Sequence, residues 1–366
     1  MALNPLVEQT LDRLASLDPG PYLVVSLYLN TAPDQHGRAN FGSFVRKEFK
    51  AVARTLPRRS PELAGFERDR GRIQAFLRDE LRPSANGVAI FSCAGDFFEA
   101  LQLDVPVPFN RLYVTLRPHL YTLALLGDQY PRHAVLVADT NRARLFVIGL
   151  RRRPEREEVR SPKTSRTSAG GWSQARYQRH IEAGRLQHVK EVIEVLDRVV
   201  WEENISRIIL AGDEVIRPVL QSQMPPHLAA KVADFRSFDI RVPEHQLYSE
   251  AIEAVRLQDT QEDARKVRQM LEEYRSGGLA VVGRAETLEE LSNGRVEELL
   301  ITASLKKNHA RQAEAMVRAA VKTGAAVTFI EDEALLEAVG GAGGLLRYRS
   351  WSEGLKSDER QESRQS

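Results

Sequence analysis

Cysteine is nearly absent: Cys93 is the single one in 366 residues. That excludes an internal disulfide framework and a cysteine-based zinc site, and it fits a reducing compartment. The chain starts Met-Ala-Leu-Asn, without the charged start and apolar run of a signal peptide. No stretch approaches the roughly 18 apolar residues needed to span a bilayer. A cytoplasmic protein is the expectation. Charge imbalance is missing too. With a net charge of +2, nothing global points to nucleic acid, so any basic surface must be local. What remains is ordinary globular material, 42% hydrophobic and 28% charged, in a chain long enough for two or three cores.

The local exception runs from Arg160 to Arg179, twenty residues with no Asp or Glu. It carries Arg160, Lys163, Arg166, Arg176 and Arg179, and at its centre Gly170-Gly171-Trp172-Ser173-Gln174. A cationic loop with paired glycines and an amide side chain suits insertion into a phosphate-lined space. The same composition also serves as a linker with solvating charges. A second basic strip, Arg46, Lys47, Lys50, Arg54, Arg58 and Arg59, reads equally as a solvated helix face.

The rest of the chain predicts an α/β protein. Leu6, Leu11, Leu14 and Leu17 have helical spacing, and Asp18-Pro-Gly-Pro stops that helix. Strands are expected at 22–30, 87–92, 97–103 and 112–115, with helices at 41–56 and 61–81. A new unit opens at His133 with a strand at 134–138, a turn at Asp139, and a strand at 144–148. After the basic loop, Val189, Val192, Ile193, Leu196, Val199 and Val200 form the buried stripe of a helix reaching Asn204, with Gly184 inside it. A strand at 207–211, a helix from Gly212-Asp213-Glu214 and a segment at 231–236 follow. Residues 243–274 read as a charged helix connecting two domains. Strands at 279–282, 298–302 and 326–330 then alternate with helices at 286–292, 309–323 and 332–339, implying a layered α/β/α domain with a partly parallel sheet. Gly340-Gly-Ala-Gly-Gly leads to a short run at 345–348, and the polar tail from Ser352 is expected to be disordered. The domains are placed at 1–128, 129–262 and 263–351, with a tail at 352–366.

These residues carry a resemblance. The cationic Gly-Gly…Gln loop before a long helix looks like the catalytic loop of archaeo-eukaryotic class-one peptide chain release factors. Gly171-Trp-Ser-Gln174 fits the looser glycine-x-x-glutamine pattern of the peptidyl-tRNA hydrolases of ribosome quality control, and Gly-Gly-Trp-Ser-Gln-Ala-Arg-Tyr is similar to their bacterial relatives. Gly278-Leu-Ala-Val-Val-Gly, Gly294-Arg-Val-Glu-Glu-Leu-Leu-Ile and Gly340-Gly-Ala-Gly-Gly-Leu-Leu-Arg-Tyr resemble the C-terminal domain of release factors and Pelota. The resemblance implies three α/β domains, the middle one ribonuclease-H-like and the third like the kink-turn-binding ribosomal proteins. It implies hydrolysis of peptidyl-tRNA in the peptidyl-transferase centre of the large ribosomal subunit, with no cofactor and with neither DNA nor a membrane as partner. Gly170, Gly171 and Gln174 would be catalytic. Arg160, Lys163, Arg166, Trp172, Arg176 and Arg179 would bind RNA.

Two departures qualify it. Trp172 and Ser173 separate the glycine pair from Gln174, whereas in release factors Gln follows directly. The stop-codon signature Asn-Ile-Lys-Ser is missing from the first domain. Rescue of stalled ribosomes is therefore expected over stop-codon termination, with a non-catalytic, Pelota-type docking factor as the alternative. A further alternative is a metal-dependent nuclease using Asp139, Asp213 and Glu214, against ordinary turn and helix-start roles for these acids. His180 and His188, eight apart, do not have zinc-ligand spacing. Cys93 reads as a packed strand residue.

Overall fold

Helix α1 (Pro5–Ala15) leads into strand β1 (Val24–Asn30), whose first six residues are all buried. They are buried because both faces of the strand are covered. Val25, Leu27 and Leu29 pack against Val45 and Phe49 of α2 (Phe41–Thr55) and Phe66, Ile73 and Phe76 of α3 (Pro61–Asp79). The alternate residues face the segment 118–121. Ser26 Oγ accepts from the His119 N–H at 3.0 Å, and the Tyr28 hydroxyl donates to the His119 carbonyl at 2.6 Å. Strands β2 (Gly87–Cys93), β3 (Phe97–Leu103) and β4 (Arg111–Thr115) complete an antiparallel sheet in the order β3-β2-β1-β4. Cys93 is a buried strand residue as expected. Burial, with Asp69 and Asp96 adding to it, pushes its thiol up to about 11.

This computed structural model describes residues 5–32, 41–94, 96–150, 153–160, 173–213, 215–237, 244–330 and 334–348. Backbone contacts group the chain into two units, Met1–Tyr130 with Thr260–Ser366, and Pro131–Asp259.

The next helix, α4 (Tyr121–Gln129), has no counterpart in the sequence reading. Its apolar residues show no stripe because it is buried on nearly every side, at Tyr121, Leu123, Ala124, Leu126 and Gly127.

In the second unit, β5 (His133–Ala138), β6 (Arg142–Ile148) and β7 (Arg153–Arg160) form an antiparallel meander. Helix α5 (Ser173–Glu202) crosses over to β8 (Arg207–Gly212), and α6 (Arg217–Gln223) and α7 (Pro226–Ala229) lead to β9 (Val232–Ser237). The sheet order is β7-β6-β5-β8-β9, with β8 parallel to β5 and β9 parallel to β8. Three antiparallel strands followed by two parallel to the first make the ribonuclease-H-like arrangement expected for the middle of the chain. Strand β7 was not anticipated. Arg-Pro-Glu-Arg-Glu-Glu-Val-Arg lacks apolar alternation, as suits an edge strand, where charge blocks pairing with another chain. Helix α8 (Glu244–Arg275) follows, and the boundary between the units falls within it.

The last sheet is built from β10 (Ala280–Val282), β11 (Val296–Thr302), β12 (Ala326–Ile330) and β13 (Ala342–Leu346), in the order β10-β13-β11-β12. Only β11 and β12 are parallel. Helices α9 (Arg284–Ser292), α10 (Leu305–Thr323, kinked at His309) and α11 (Ala334–Ala338) alternate with the strands. Leu300, Ile330 and Leu336 pack on Val267, Met270 and Leu271 of α8, and alternation sends Ile301 and Phe329 to the opposite face. There Phe329 meets Tyr121 of α4 edge-on, ring centres 5.0 Å apart. The layered α/β/α expectation holds, with α4 as part of the covering layer. The end of the glycine run belongs to the sheet. Gly343 and Gly344 lie in a central strand, and a Cβ at Gly343 would come within 2.5 Å of Met270 Sδ.

At the end of α4, Asp128 Oδ2 accepts from the Phe329 N–H at 3.0 Å. Burial pushes this carboxyl from 3.8 up to about 7. Between those values the folded chain holds a proton that the unfolded chain has released. The resulting stabilisation is full below the lower value and is lost as pH rises through the upper one. Asp128→Asn keeps an acceptor for Phe329 but does not titrate. Its stability relative to wild type should therefore climb between about pH 5 and pH 8, read by urea unfolding.

Candidate functional site

The structure shortens the cationic loop. Arg160 is the last residue of β7, and Gln174, Arg176 and Arg179 lie in the first two turns of α5. Gly170, Gly171 and Trp172, with Lys163 and Arg166, lie outside the described residues.

Register fixes where the loop leaves. Arg142 pairs with Arg160 and Ala143 with Ala138, so β7 ends beside the carboxyl end of β5. That is the edge at which open α/β sheets place their ligands. Arg142, exposed and directly across from Arg160, was not among the sequence candidates. Only the pairing with β7, which carries no strand signal, sets the two positions opposite each other in the ladder.

The other anchor of the loop is longer than its support. The buried stripe of α5 is the expected one, Val189, Val192, Ile193, Leu196, Val199 and Val200, packed on Leu136, Leu145, Ile208 and Leu210. Residues 188–202 cover about 22 Å at 1.5 Å per residue. β8, which the helix enters from its own carboxyl end, is only about 20 Å long. The packed rear half of the helix is therefore already as long as β8. Exposure agrees: from Glu182 to Gln187 five of six residues are exposed, Arg185 is intermediate, and His188 is the first buried one. Six consecutive residues cover every face of a helix. Over Glu182–Gln187 α5 is largely exposed, and its first residue, Ser173, lies about 22 Å along the helix from His188.

Gly184 sits in this free stretch, with nothing within 4 Å of where a Cβ would be. No contact requires glycine there. Gly184→Ala should stiffen α5 by roughly 0.5–1 kcal/mol, seen as slower amide exchange across residues 173–187.

The acids of the nuclease alternative are only partly brought together. Asp139 and Asp213 follow the adjacent strands β5 and β8, but each uses Oδ1 to close its own turn. Asp139 accepts from the Asn141 and Arg142 N–H groups at 2.7 and 2.8 Å, and Asp213 from Val215 N–H at 3.1 Å. Glu214 lies outside the described residues, as does the side chain of His180. His188 is a buried residue of α5. Among the described residues no three His, Cys, Asp or Glu side chains converge as metal ligands. Among them, too, no helix is long and apolar enough to cross a membrane.

Comparison with known proteins adds two family matches. Residues 118–256 match bacterial archaeo-eukaryotic release factor family 10, and residues 260–350 match eRF1 domain 3. No curated protein matches the chain. Among solved structures it is similar to ribosome-bound archaeal Pelota, determined together with ABCE1, at 18% identity, 94% coverage of each chain and a TM-score of 0.44. It is also similar to the archaeal translation termination factor aRF1, at 15% identity over 95% of this chain and 99% of the other, TM-score 0.29. Archaeoglobus fulgidus Pelota follows at 17% identity, 72% and 79% coverage and a TM-score of 0.36.

Proposed function

Because the chain is a bacterial archaeo-eukaryotic release-factor-like protein, we propose that it acts on ribosomes as a peptidyl-tRNA hydrolase, freeing nascent chains from stalled ribosomes or large subunits. The observation that carries this reading is the exposed stretch of α5 from Glu182 to Gln187, ahead of its packed rear half. Gln174 stands in the first turn of that helix, and Arg176 and Arg179 follow within the first two. A ribosomal active site is a narrow cavity walled by phosphate, and a single helix with an adjoining loop is slender enough to enter it. Arg160, Lys163, Arg166, Arg176 and Arg179 would meet the RNA phosphates, and Trp172 would stack on a base.

The reaction asks little of the protein. Water adds to the ester carbonyl, whose oxygen becomes an oxyanion. The bond to the tRNA ribose then breaks, the ribose oxygen takes up one proton of the water, and the other is released to solvent. The products are a free carboxylate and a deacylated tRNA. Gln174 is not a general base, since its amide has no useful pKa. Its side chain can orient the water. Its backbone N–H is among those at the start of α5 that helix geometry leaves without an intrahelical acceptor, at the positive end of the helix dipole. Donors aimed at a developing oxyanion are the strongest single contribution to acyl-transfer catalysis. Gly170 and Gly171 would open a backbone path closed to residues with a Cβ.

The test is release of a labelled nascent chain from purified stalled complexes, with and without a stop codon in the decoding site. Release independent of the stop codon supports rescue. Tight binding without release by the wild-type chain selects a non-catalytic docking factor, the outcome that the two residues between Gly171 and Gln174 would then explain.

A further inference from the structure

Residues 1–117 precede both family matches, and the basic strip of the first domain lies there. On α2, Arg46, Lys50 and Arg54 recur every fourth residue with Lys47 beside them, so four cations share about 100° of the helix surface. The buried residues of α2, Val45 and Phe49, fall on the other side. All four cations are exposed, as are Arg58 and Arg59 in the turn that follows. Among the described residues none of the six is in an ion pair. Glu48, the acid on α2, projects outside their arc.

Arg59 adds an independent observation. It has φ +60° in a turn closed by the Ser60 N–H donating to the Pro57 carbonyl at 3.3 Å. That left-handed conformation favours glycine or asparagine, and an arginine Cβ is strained there. The chain keeps a cation at the end of the strip where the backbone asks for a small residue. Strain of this kind concentrates at functional positions.

We infer that α2 and the 57–60 turn form a docking ridge for RNA phosphates, separate from the α5 loop. Its partner is ribosomal RNA, and for that identification the inference rests on the ribosomal reading above. The chemistry of the ridge selects RNA over protein. A protein interface is built on buried aromatic or aliphatic anchors, and no large hydrophobic residue is exposed on α2. Phosphate contacts need only cations at a steady spacing, and Arg46, Lys50 and Arg54 advance about 6 Å per step.

The experiment uses the full chain, Arg46→Gln/Lys50→Gln/Arg54→Gln together, and Arg59→Gly. Affinity is measured for purified ribosomes and for a labelled RNA duplex between about 50 and 200 mM salt. The triple variant should bind both at least tenfold more weakly, with a log–log salt slope shallower by about 2, since each lost phosphate contact removes roughly 0.7–0.9. Arg59→Gly should weaken binding about threefold without lowering Tm, because the substitution relieves the backbone while removing the charge. In release assays both variants should raise KM and leave kcat unchanged. Wild-type affinity and slope in both variants overturn the ridge. So does ridge-dependent binding to phosphatidylserine vesicles with ribosome and duplex affinity unaltered. A wild-type chain that binds through the ridge but releases nothing sinks the hydrolase reading and leaves the ridge standing. Ridge-dependent binding to duplex alone removes ribosomal RNA as the partner.

Discussion

Gln174→Ala should lower release of nascent chains from stalled ribosomes by about 10²–10³-fold, the usual effect of removing one well-placed polar group from an acyl-transfer site. Ribosome affinity and Tm should be unchanged. Gln174 lies fourteen residues ahead of His188, the first buried residue among the described side chains of α5. Alanine is also the better helix former, so the helix start survives. Two roles for Gln174 predict different series. If the side chain orients water, alanine and proline are equally inactive. If the backbone N–H faces the oxyanion, alanine keeps much of the activity and proline, tolerated in a first helical turn but lacking the N–H, loses it. Full release by both variants would leave the loop as an RNA-docking element. The assay should be run with saturating ribosomes, so that a loss reports turnover rather than encounter.

The residue types of this site were legible in the sequence, and its geometry was not. A run free of acids with Gly170-Gly171 and Gln174 stands out in a charge-balanced chain. What the structure adds is the length of the 30-residue helix against the six-residue strand it packs on, and the end of the sheet at which β7 stops, which only the register of β5, β6 and β7 reveals. The fold shows the same division. Strands β1 and β5 were visible because their burial on both faces makes a continuous apolar run. The rear half of α5 was visible because one face packs and the others do not. Helix α4 was missed for the opposite reason: buried all round, it has no periodicity to detect. Strand β7 was missed because an edge strand is free to be charged. The glycines of β13 carry no strand signal, yet it is the closeness of Met270 and Val281 that leaves Gly343 no room for a side chain.

The second large effect is expected at Glu314, on a helix far in sequence from the segment it holds. Helix α4 begins at Leu120 without a side-chain cap of its own. Glu314 of α10 supplies one, accepting from the Leu120 N–H at 2.9 Å and the Tyr121 N–H at 3.0 Å. Arg318 donates to the same carboxylate at 3.0 Å and to the Pro118 carbonyl at 3.2 Å. His119 Nε2 lies 3.3 Å away. Its ring is held neutral, because burial, with Lys306 and Arg318 adding to it, draws its pKa down to about 3. The Glu314 side chain is only 12% exposed, and burial pulls its own pKa upward against those donors. Alanine would strand two helix-start N–H groups and a guanidinium that this carboxylate now satisfies. Breaking such a constellation from one side costs about 3 kcal/mol. Tm should fall by roughly 6–12 °C for a unit of this size, and amide exchange in peptides spanning residues 118–124 should quicken by about 10². Glu314→Gln, which keeps one acceptor oxygen, should lose less than half as much. If exchange at Leu120 and Tyr121 is untouched in Glu314→Ala, water replaces the carboxylate freely, and α4 is held by the packing of Tyr121 on Phe329 instead.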